Sequence, residues 1–372
     1  MKSVLASAHE QLKETYMSFL RNAWYVAAWD QEVKADTLLS RTLLNESVLL
    51  FRDDAGTIQA TSNRCPHRFA PLHTGKRVAN GVQCPYHGLE FNGQGRCMHN
   101  PHADGTIPKA ATLRTYPVHE KYSAIWIWMG DVTKADASLI PDFSCMDRAH
   151  WYVGQRYLYA RANYVLETDN IMDLSHIQYL HPTTLGSGSV QEGTTSVEQF
   201  GETVWSKRFI TNEILPDFLY DAINMPRGTP VDRWLDVRWD APANMWLQID
   251  IGKSGQLREN AIKAPSAHLF TPETNTTTHY WFSMSYPKTL GPIGEQLAEA
   301  AVTGIEKPFQ YEDLPMLEAQ QKAIGDSDFW SLKPVLLPSD ASAIRARRVL
   351  DALIHKEEEA TVGHSFKTSI RD

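Results

Sequence analysis

Two short motifs, each pairing a cysteine with a histidine, constrain this 372-residue chain more than any other feature of its sequence. The first is Cys65-Pro-His67, and the second, Cys84-Pro-Tyr-His87, follows after a gap of sixteen residues. Thiolates and neutral imidazoles are metal ligands, so two closely spaced pairs of them predict a metal centre held by two loops. The fold must therefore bring these loops together on rigid supports.

The order of the ligands separates the two metal centres that such a set could hold. A zinc finger pairs cysteine with cysteine and histidine with histidine. Here each pair contains both residue types, and loop-forming residues follow each pair, among them Pro71 and Gly88. This order favours a Rieske [2Fe–2S] cluster over zinc. In such a cluster two thiolates bind one iron and two imidazoles bind the other.

Size, charge and cysteine usage narrow the class of protein. The chain exceeds the usual length of one domain, so we expect two. A net charge of −8, with no block of lysine and arginine, argues against nucleic acid as a partner. We find no signal peptide and no apolar stretch long enough to span a bilayer, and we expect no membrane association. Cys97 and Cys145 show no pairing pattern, so a cytoplasmic setting is expected, with Cys97 a buried apolar residue rather than a fifth ligand.

The hydrophobic pattern predicts an N-terminal helix followed by two domains. Residues 1–20 have apolar positions at helical spacing and predict an amphipathic helix. Residues 21–133 contain short β-runs separated by turns, which predict an all-β domain that carries the cluster. Residues 142–372 combine longer strands with helices and predict a second, catalytic domain, so the chain as a whole is α+β. Predicted strands cover residues 42–44, 47–51, 124–129, 152–164, 203–214, 238–251 and 277–285, and predicted helices cover residues 165–180, 294–324 and 341–359.

A second group of polar residues lies in the first helix of the catalytic domain. Asn170, Asp173 and His176 are spaced to share one helix face, and His181 follows just before Pro182 ends the helix. Two imidazoles and a carboxylate from elsewhere could form a 2-His-1-carboxylate site for ferrous iron. Taken alone the pattern is weak, since two such histidines are often ordinary surface or core residues. The cluster strengthens it, because an electron carrier in a large chain implies an electron consumer.

These motifs together resemble the oxygenase component of the Rieske non-heme iron oxygenases. Within that superfamily the chain is similar to the homomeric aromatic O-demethylases, typified by vanillate and dicamba demethylases. The resemblance covers nearly the whole chain, and its most specific stretches are residues 65–72, 83–91, 99–102, 229–234, 270–273 and 312–318.

The resemblance implies roles that spacing could not assign. The third iron ligand is then Asp313, with Glu312 as its nearest rival. Asp173 is implied to be a bridge rather than a ligand: its carboxylate would hold the rings of His176 and of His87 of the partner subunit. Asn170 would lie near the iron, although a helical amide often only bonds to the backbone.

The resemblance also implies the fold, the assembly and the cofactors. An N-terminal Rieske domain would precede a helix-grip (START-like) domain, in which an antiparallel sheet surrounds a long helix. The chain would form a homotrimer in which electrons cross between subunits. It would use the [2Fe–2S] cluster, mononuclear Fe(II) and O2. NAD(P)H would supply electrons through a separate reductase, with or without a ferredoxin.

The substrate is less constrained. A small aromatic compound is implied, and His268 matches a histidine that holds the substrate in dicamba-type enzymes; it could equally be a strand histidine bonded to a neighbour. The matching tryptophan and asparagine positions are Gly304 and Leu247, which predict a larger, more apolar pocket. Residues 184–195 and 215–230 are expected to cover its entrance.

Three functions therefore remain open at this point. The first is O-demethylation or hydroxylation of an aromatic compound by a Rieske monooxygenase. The second is a Rieske hydroxylase or dioxygenase that acts on a ring carbon, a methyl group or an N-methyl group. The third is a non-catalytic Rieske electron carrier, whose second domain would be structural only.

Overall fold

The computed structural model describes residues 19–368, and side chains up to residue 360. The described residues divide into two compact units, one made of residues 21–142 and 271–274 and the other of the remaining described residues. The N-terminal helix predicted at residues 1–20 falls outside the described residues, except for its last two positions. Every helix in the described part of the chain is too short or too polar to cross a membrane.

The first unit is built from short antiparallel strands. They form sheets in the orders β1-β10-β9, β2-β3-β4 and β5-β6-β7-β8. The middle strand β10 is wholly apolar and wholly buried, which fixes it in the core. The strands are β1 (Trp24–Trp29), β2 (Leu39–Leu43), β3 (Glu46–Arg52), β4 (Ile58–Ser62), β5 (Lys76–Val78), β6 (Gly81–Gln83), β7 (Glu90–Asn92), β8 (Cys97–His99), β9 (Val118–Lys121) and β10 (Ala124–Trp128).

The second unit contains a seven-stranded antiparallel sheet in the order β11-β17-β16-β15-β14-β13-β12, together with helices. Its strands are β11 (Trp151–Ala160), β12 (Thr194–Phe200), β13 (Thr203–Glu213), β14 (Val231–Asp240), β15 (Asn244–Lys253), β16 (Ile262–Thr274) and β17 (Thr277–Pro287). Its helices are α1 (Tyr164–Met172), α2 (Ile177–Leu180), α3 (Asp217–Ala222), α4 (Ile293–Pro308), α5 (Leu314–Ile324) and α6 (Ala341–Thr368).

Alternation along the strands and one close helix contact explain how this sheet is covered. Along β14, Leu235, Val237 and Trp239 are buried and the residues between them are partly exposed, so one face of the strand points inward. Helix α4 packs on β11 at Gly154, where a Cβ atom would lie 2.3 Å from the carbonyl oxygen of Ala298. A glycine is therefore needed for the helix to approach this closely.

The structure corrects two of the predicted elements. The single strand predicted over residues 238–251 is wrong, because the chain reverses at residues 241–243 and Asp240 pairs with Asn244. Pro242 lies in this turn, and since it has no amide hydrogen it could not continue a central strand. The helix predicted over residues 165–180 is interrupted at Asp173, where α1 ends and the 3₁₀ turn Leu174–His176 begins.

Candidate active site

The two cluster motifs fold into loops with the same main-chain hydrogen bonds. In each loop the amide of the cysteine donates to the carbonyl five residues later, and the amide four residues later donates back. These distances are 2.9 and 3.0 Å in the Cys65 loop and 2.8 and 3.1 Å in the Cys84 loop. Phe69 and Gly88 occupy equivalent positions, with φ of 62° and 73°. Each cysteine is therefore presented from the same rigid turn.

The sulfur atoms lie beneath these loops, and the imidazole rings lie at the surface. Cys65 and Cys84 are buried in one hydrophobic cluster that also contains Cys97. His67 is exposed and His87 half-buried, with their ring centroids 4.4 Å apart. Burial raises the pKa of the Cys65 thiol to about 11, so the thiol keeps its hydrogen unless a metal displaces it. Two buried sulfurs beside two adjacent rings suit a cluster with mixed ligands.

The other predicted ligands meet in the second unit. His176 ends its 3₁₀ turn and His181 directly follows α2. Asp313 is the last residue of a π-helical turn, Phe309–Asp313, between α4 and α5. Nε2 of His181 lies 3.1 Å from the Asp313 carboxylate, and Nε2 of His176 lies 3.5 Å from it. One ligand atom from each residue lies within 4.8 Å of the others, so the three residues could hold a metal ion.

Hydrogen bonds determine which imidazole nitrogen faces Asp313. Nδ1 of His176 lies 2.8 Å from the main-chain carbonyl of Asp173, which can only accept, so Nδ1 carries the hydrogen. Nδ1 of His181 likewise donates to the carboxylate of Glu312. In the neutral rings, both Nε2 lone pairs then face an ionised carboxylate and repel it. A metal cation bound between them would remove this repulsion. Two nitrogens and one oxygen are the donor set of 2-His-1-carboxylate ferrous sites.

The electrostatics of this group keep Asp313 ionised. Burial by itself raises the pKa of Asp313, but the adjacent rings of His176 and His181, which are positively charged when protonated, lower it to about 2. For His181, burial lowers the pKa, but the neighbouring carboxylates of Asp313 and Glu312 raise it by more. The pKa of His181 is therefore raised overall. Nδ2 of Asn170 also donates to Oδ1 of Asp313 at 3.0 Å, so Asn170 bonds to a side chain and not to the backbone.

Asp173 makes a different contact from the one expected within the chain. Its carboxylate, expected to hold the ring of His176, accepts hydrogen bonds from the amide and hydroxyl of Ser175 at 2.9 and 3.0 Å. It also faces the guanidinium of Arg208 at 3.7 Å. The carboxylate caps the turn that begins here, and the main-chain carbonyl holds the His176 ring in its place.

A cavity of about 320 Å³ adjoins the three candidate ligands. It lies between the inner face of β14–β17 and helix α4, and its lining is mainly aliphatic and aromatic. Leu247 and Gly304 both line it. These are the positions that the sequence analysis matched to an asparagine and a tryptophan of dicamba-type enzymes. The expected entrance segments contribute Leu185 and Phe218, and the Phe218 ring lies 3.0 Å from where a Cβ of Gly304 would stand.

His268 lines this cavity, but both of its ring nitrogens are already bonded within the protein. Nδ1 lies 2.7 Å from the hydroxyl of Tyr280, and Nε2 lies 3.1 Å from the hydroxyl of Ser266. Burial lowers the pKa of His268 to about 3, so the ring is neutral. These contacts fit the alternative expectation, in which His268 is a strand histidine bonded to neighbouring residues.

Sequence reasoning missed two carboxylates beside the candidate ligands. Glu312 was considered only as a rival ligand, yet it accepts from both His181 and the hydroxyl of Thr184, the latter at 2.9 Å. Glu167 is buried in α1, and burial, with the negative charge of Asp313, raises its pKa to about 8. The sequence did contain one signal for Glu167: it lies three residues before Asn170, so the two side chains share one helix face.

Comparisons with known proteins agree with this geometry. The Rieske [2Fe-2S] domain family matches residues 23–117, and the vanillate O-demethylase oxygenase C-terminal domain family matches residues 160–356. The oxygenase component of chloroacetanilide N-alkylformylase from Rhizorhabdus wittichii is 36% identical over 91% of this chain and 97% of its own. The iron–sulfur subunit of the toluene-4-sulfonate monooxygenase system of Comamonas testosteroni is 37% identical over 92% and 99%. A crystal structure of dicamba monooxygenase bound to 3,6-dichlorosalicylic acid covers 92% of this chain and 99% of its own, with 33% identity and a TM-score of 0.84.

The chain belongs to the vanillate O-demethylase family of Rieske oxygenases. It is the oxygenase component of a multicomponent Rieske monooxygenase, and the predicted fold class is confirmed. Its cofactors are a Rieske [2Fe–2S] cluster and a non-heme iron, with O2 as co-substrate and electrons from a reductase. The interpretation as a non-catalytic electron carrier is therefore excluded.

We expect Glu312→Ala to weaken ferrous-iron binding by this oxygenase about 10–100-fold, because the ring of His181 loses the carboxylate that orients it. Glu312→Gln is the matched control, since its amide oxygen can still accept from Nδ1 and the loss should be smaller. Anaerobic titration of protein that keeps its cluster but lacks the mononuclear iron measures the affinity for ferrous iron, and the visible absorbance of the cluster should not change. An unaltered affinity in Glu312→Ala would show that the contact with Glu312 does not position the ring of His181.

The raised pKa of Glu167 predicts how stability depends on pH. Its ordinary pKa is 4.5 and its pKa in the fold is about 8, so between these values the folded protein binds more protons than the unfolded chain. This contribution is complete below pH 4.5 and is lost as the pH rises through 8, with a slope of up to about 1.4 kcal/mol per pH unit.

Glu167→Gln should remove this slope, because the amide does not titrate. Urea unfolding at pH 5.5, 6.5 and 7.5 measures the apparent free energy of unfolding of wild type and variant. The exposed substitution Glu295→Gln is the control, and its difference from wild type should stay constant with pH. Parallel pH profiles for wild type and Glu167→Gln would contradict the raised pKa.

Proposed function

We propose that this oxygenase removes an O-methyl group from a small aromatic compound or hydroxylates it, using O2 and electrons from a reductase. The observation that carries the proposal is the group of His176, His181 and Asp313 on the wall of an apolar cavity of about 320 Å³. A cavity of this volume suits a small organic molecule. The four cysteines are buried and form no disulfide, which is consistent with a cytoplasmic enzyme.

In this proposal the two metal centres have separate sets of ligands. The iron supplies the site where O2 oxidises the substrate, and the cluster delivers single electrons to it. The cluster ligands are Cys65, His67, Cys84 and His87. The iron ligands are His176, His181 and Asp313.

The side chains around the iron site position its ligands and keep water out. Glu312 fixes the ring of His181 through Nδ1, and Asn170 donates to one oxygen of Asp313 and so orients the carboxylate. The aliphatic wall of the cavity excludes water, and the substrate is held against the metal by shape and burial.

Electron delivery is proposed to cross between the subunits of a homotrimer. The carboxylate of Asp173 would bond His87 of the partner subunit and so connect that subunit's cluster to His176. Two features of the single chain support this route. His87 is half-buried at the cluster surface, and Asp173 keeps 17% of its side chain exposed. A reductase that oxidises NAD(P)H, with or without a ferredoxin, would reduce the cluster.

N-dealkylation is a second candidate reaction. The relative from Rhizorhabdus wittichii is named for removing an N-alkyl group, and its identity to this chain is 36% over nearly full length. The same ligands serve both reactions, because in each the carbon attached to oxygen or nitrogen is the one oxidised. Ring hydroxylation and dioxygenation remain the alternatives that release no aldehyde.

Formaldehyde release tests the proposed reaction. We expect wild-type holoenzyme with its reductase to form one formaldehyde for each O2 consumed on a methoxyarene. Asp313→Ala should lose about one of three irons per chain and all measurable turnover, because two protein ligands hold ferrous iron weakly. Glu202→Ala, which removes an exposed carboxylate in the turn between β12 and β13, should change neither value. Coupled O2 uptake with a hydroxylated product and no formaldehyde would instead establish hydroxylation.

Asp173→Asn tests the route between subunits. An amide oxygen can still accept from the amide of Ser175, so the turn should fold and both centres should load with metal. We expect the reductase to reduce the cluster at the normal rate while electron transfer to the iron falls at least tenfold in single-turnover kinetics. Ser175→Ala removes one bond to the same carboxylate without changing its charge and is the control. Near-normal transfer in Asp173→Asn would refute the bridge.

A further inference from the structure

Most of the polar side chains that line the active-site cavity already have partners within the protein. Most of the wall is aliphatic or aromatic, and outside the proposed iron ligands the polar lining residues are Asn170, Asp221, Arg233, Ser266, His268 and Tyr286. Of these, Asn170 donates to Asp313, and Asp221 near the mouth is ion-paired with Arg227 at 2.6 Å. Tyr286 offers a neutral hydroxyl, since burial raises its pKa.

The hydrogen-bond donor of His268 is committed to the protein. The single hydroxyl hydrogen of Ser266 goes to the carbonyl of Ser283 at 2.7 Å, so Ser266 Oγ must accept from Nε2–H of His268. The other ring nitrogen, Nδ1, then accepts from the hydroxyl of Tyr280. The ring is neutral and has no remaining donor for a substrate carboxylate.

The one cationic side chain in the lining is already neutralised. Arg233, 3% exposed, donates to Glu213 at 2.6 Å and to the carbonyl of Leu185 at 2.9 Å. Glu213 is fully buried, and Ser187 donates to the same carboxylate. Within the described residues, Arg233 Nε and Glu213 Oε2 both lack a hydrogen-bond partner. An anion that approached this pair would meet one free donor and one free acceptor, with no net positive charge.

We propose that this cavity selects an uncharged, hydrophobic aromatic substrate and rejects aromatic carboxylates and sulfonates. The inference rests on the proposed function, because it concerns the same cavity. An anionic group that entered would lose its hydration and find no unpaired cationic side chain in the lining. The donors left to it are the hydroxyl of Tyr286 and Nε of Arg233, which belongs to a neutralised ion pair. An ether or amide group loses far less, and the neutral hydroxyl of Tyr286 can satisfy it.

Binding of three matched ligands tests this selection without turnover. The holoenzyme, with its cluster oxidised and under nitrogen, is titrated calorimetrically at pH 7.5 with 4-methylanisole, 4-methoxybenzamide and 4-methoxybenzoate. The first two are uncharged and the third is ionised. We expect the benzoate to bind at least about 100-fold more weakly than the benzamide. Equal or tighter binding of the benzoate overturns the proposal, and so does failure of both uncharged ligands to bind at millimolar concentration.

Ser266→Ala tests why the anion is rejected. It releases Nε2–H of His268 toward the cavity, so the benzoate should gain about tenfold or more relative to the benzamide. Ser283→Ala is the matched control, because it removes a hydroxyl from the same sheet but keeps the carbonyl that Ser266 uses. Cluster absorbance and thermal unfolding verify that both variants fold. An unchanged ratio in Ser266→Ala overturns the explanation based on committed donors.

Formaldehyde assays on the same ligands separate this inference from the proposed reaction. If the uncharged ethers bind but release no formaldehyde, the O-demethylation fails and the selection stands. If the benzoate binds best and releases formaldehyde, the selection fails and the reaction stands.

Discussion

The catalytic half of this protein depends on two imidazole lone pairs directed at one buried carboxylate. His176 and His181 can face Asp313 through Nε2 only because acceptors elsewhere hold their Nδ1 hydrogens. One of these acceptors is a main-chain carbonyl and the other is Glu312. If either Nδ1 lost its acceptor, the ring could turn and present its hydrogen to Asp313. Helix α1 ends at Met172, so the carbonyl of Asp173 has no partner within the helix and can accept the hydrogen bond from the His176 ring.

Negative charge is concentrated around this group, and a divalent cation would balance it. Asp313, Glu312 and Glu167 lie in or beside the site, and all three approach it from helical segments. Burial raises the pKa of Glu167, which therefore stays protonated near neutral pH, while Asp313 stays ionised through its hydrogen bonds. Two like carboxylates thus differ in charge because only Asp313 has a hydrogen-bond donor, Asn170, and two imidazole rings beside it. The uncharged form of Glu167 limits repulsion in the interior.

The sequence pointed to the candidate ligands more readily than to the residues that hold them in place. The cluster loops could be predicted, because few folds use cysteine and histidine at that spacing. Asp313 could not be chosen by spacing among 44 acidic residues and followed only from the family resemblance. The contact between Glu312 and His181 joins residues 131 positions apart, which no local pattern records. The turn at residues 241–243 was missed because strand-forming residues such as Trp239 and Trp246 lie on both sides of it, although Pro242 was the signal against a continuous strand.

The two cluster loops share a backbone conformation although their sequences differ. Both loops close with the same pair of hydrogen bonds, and both reach positive φ four residues after the cysteine. The first loop places Phe69 there and the second places Gly88, so side-chain identity hides the equivalence. The histidine is the second residue after Cys65 but the third after Cys84. Despite this offset of one position, the two rings lie side by side, with their centroids 4.4 Å apart.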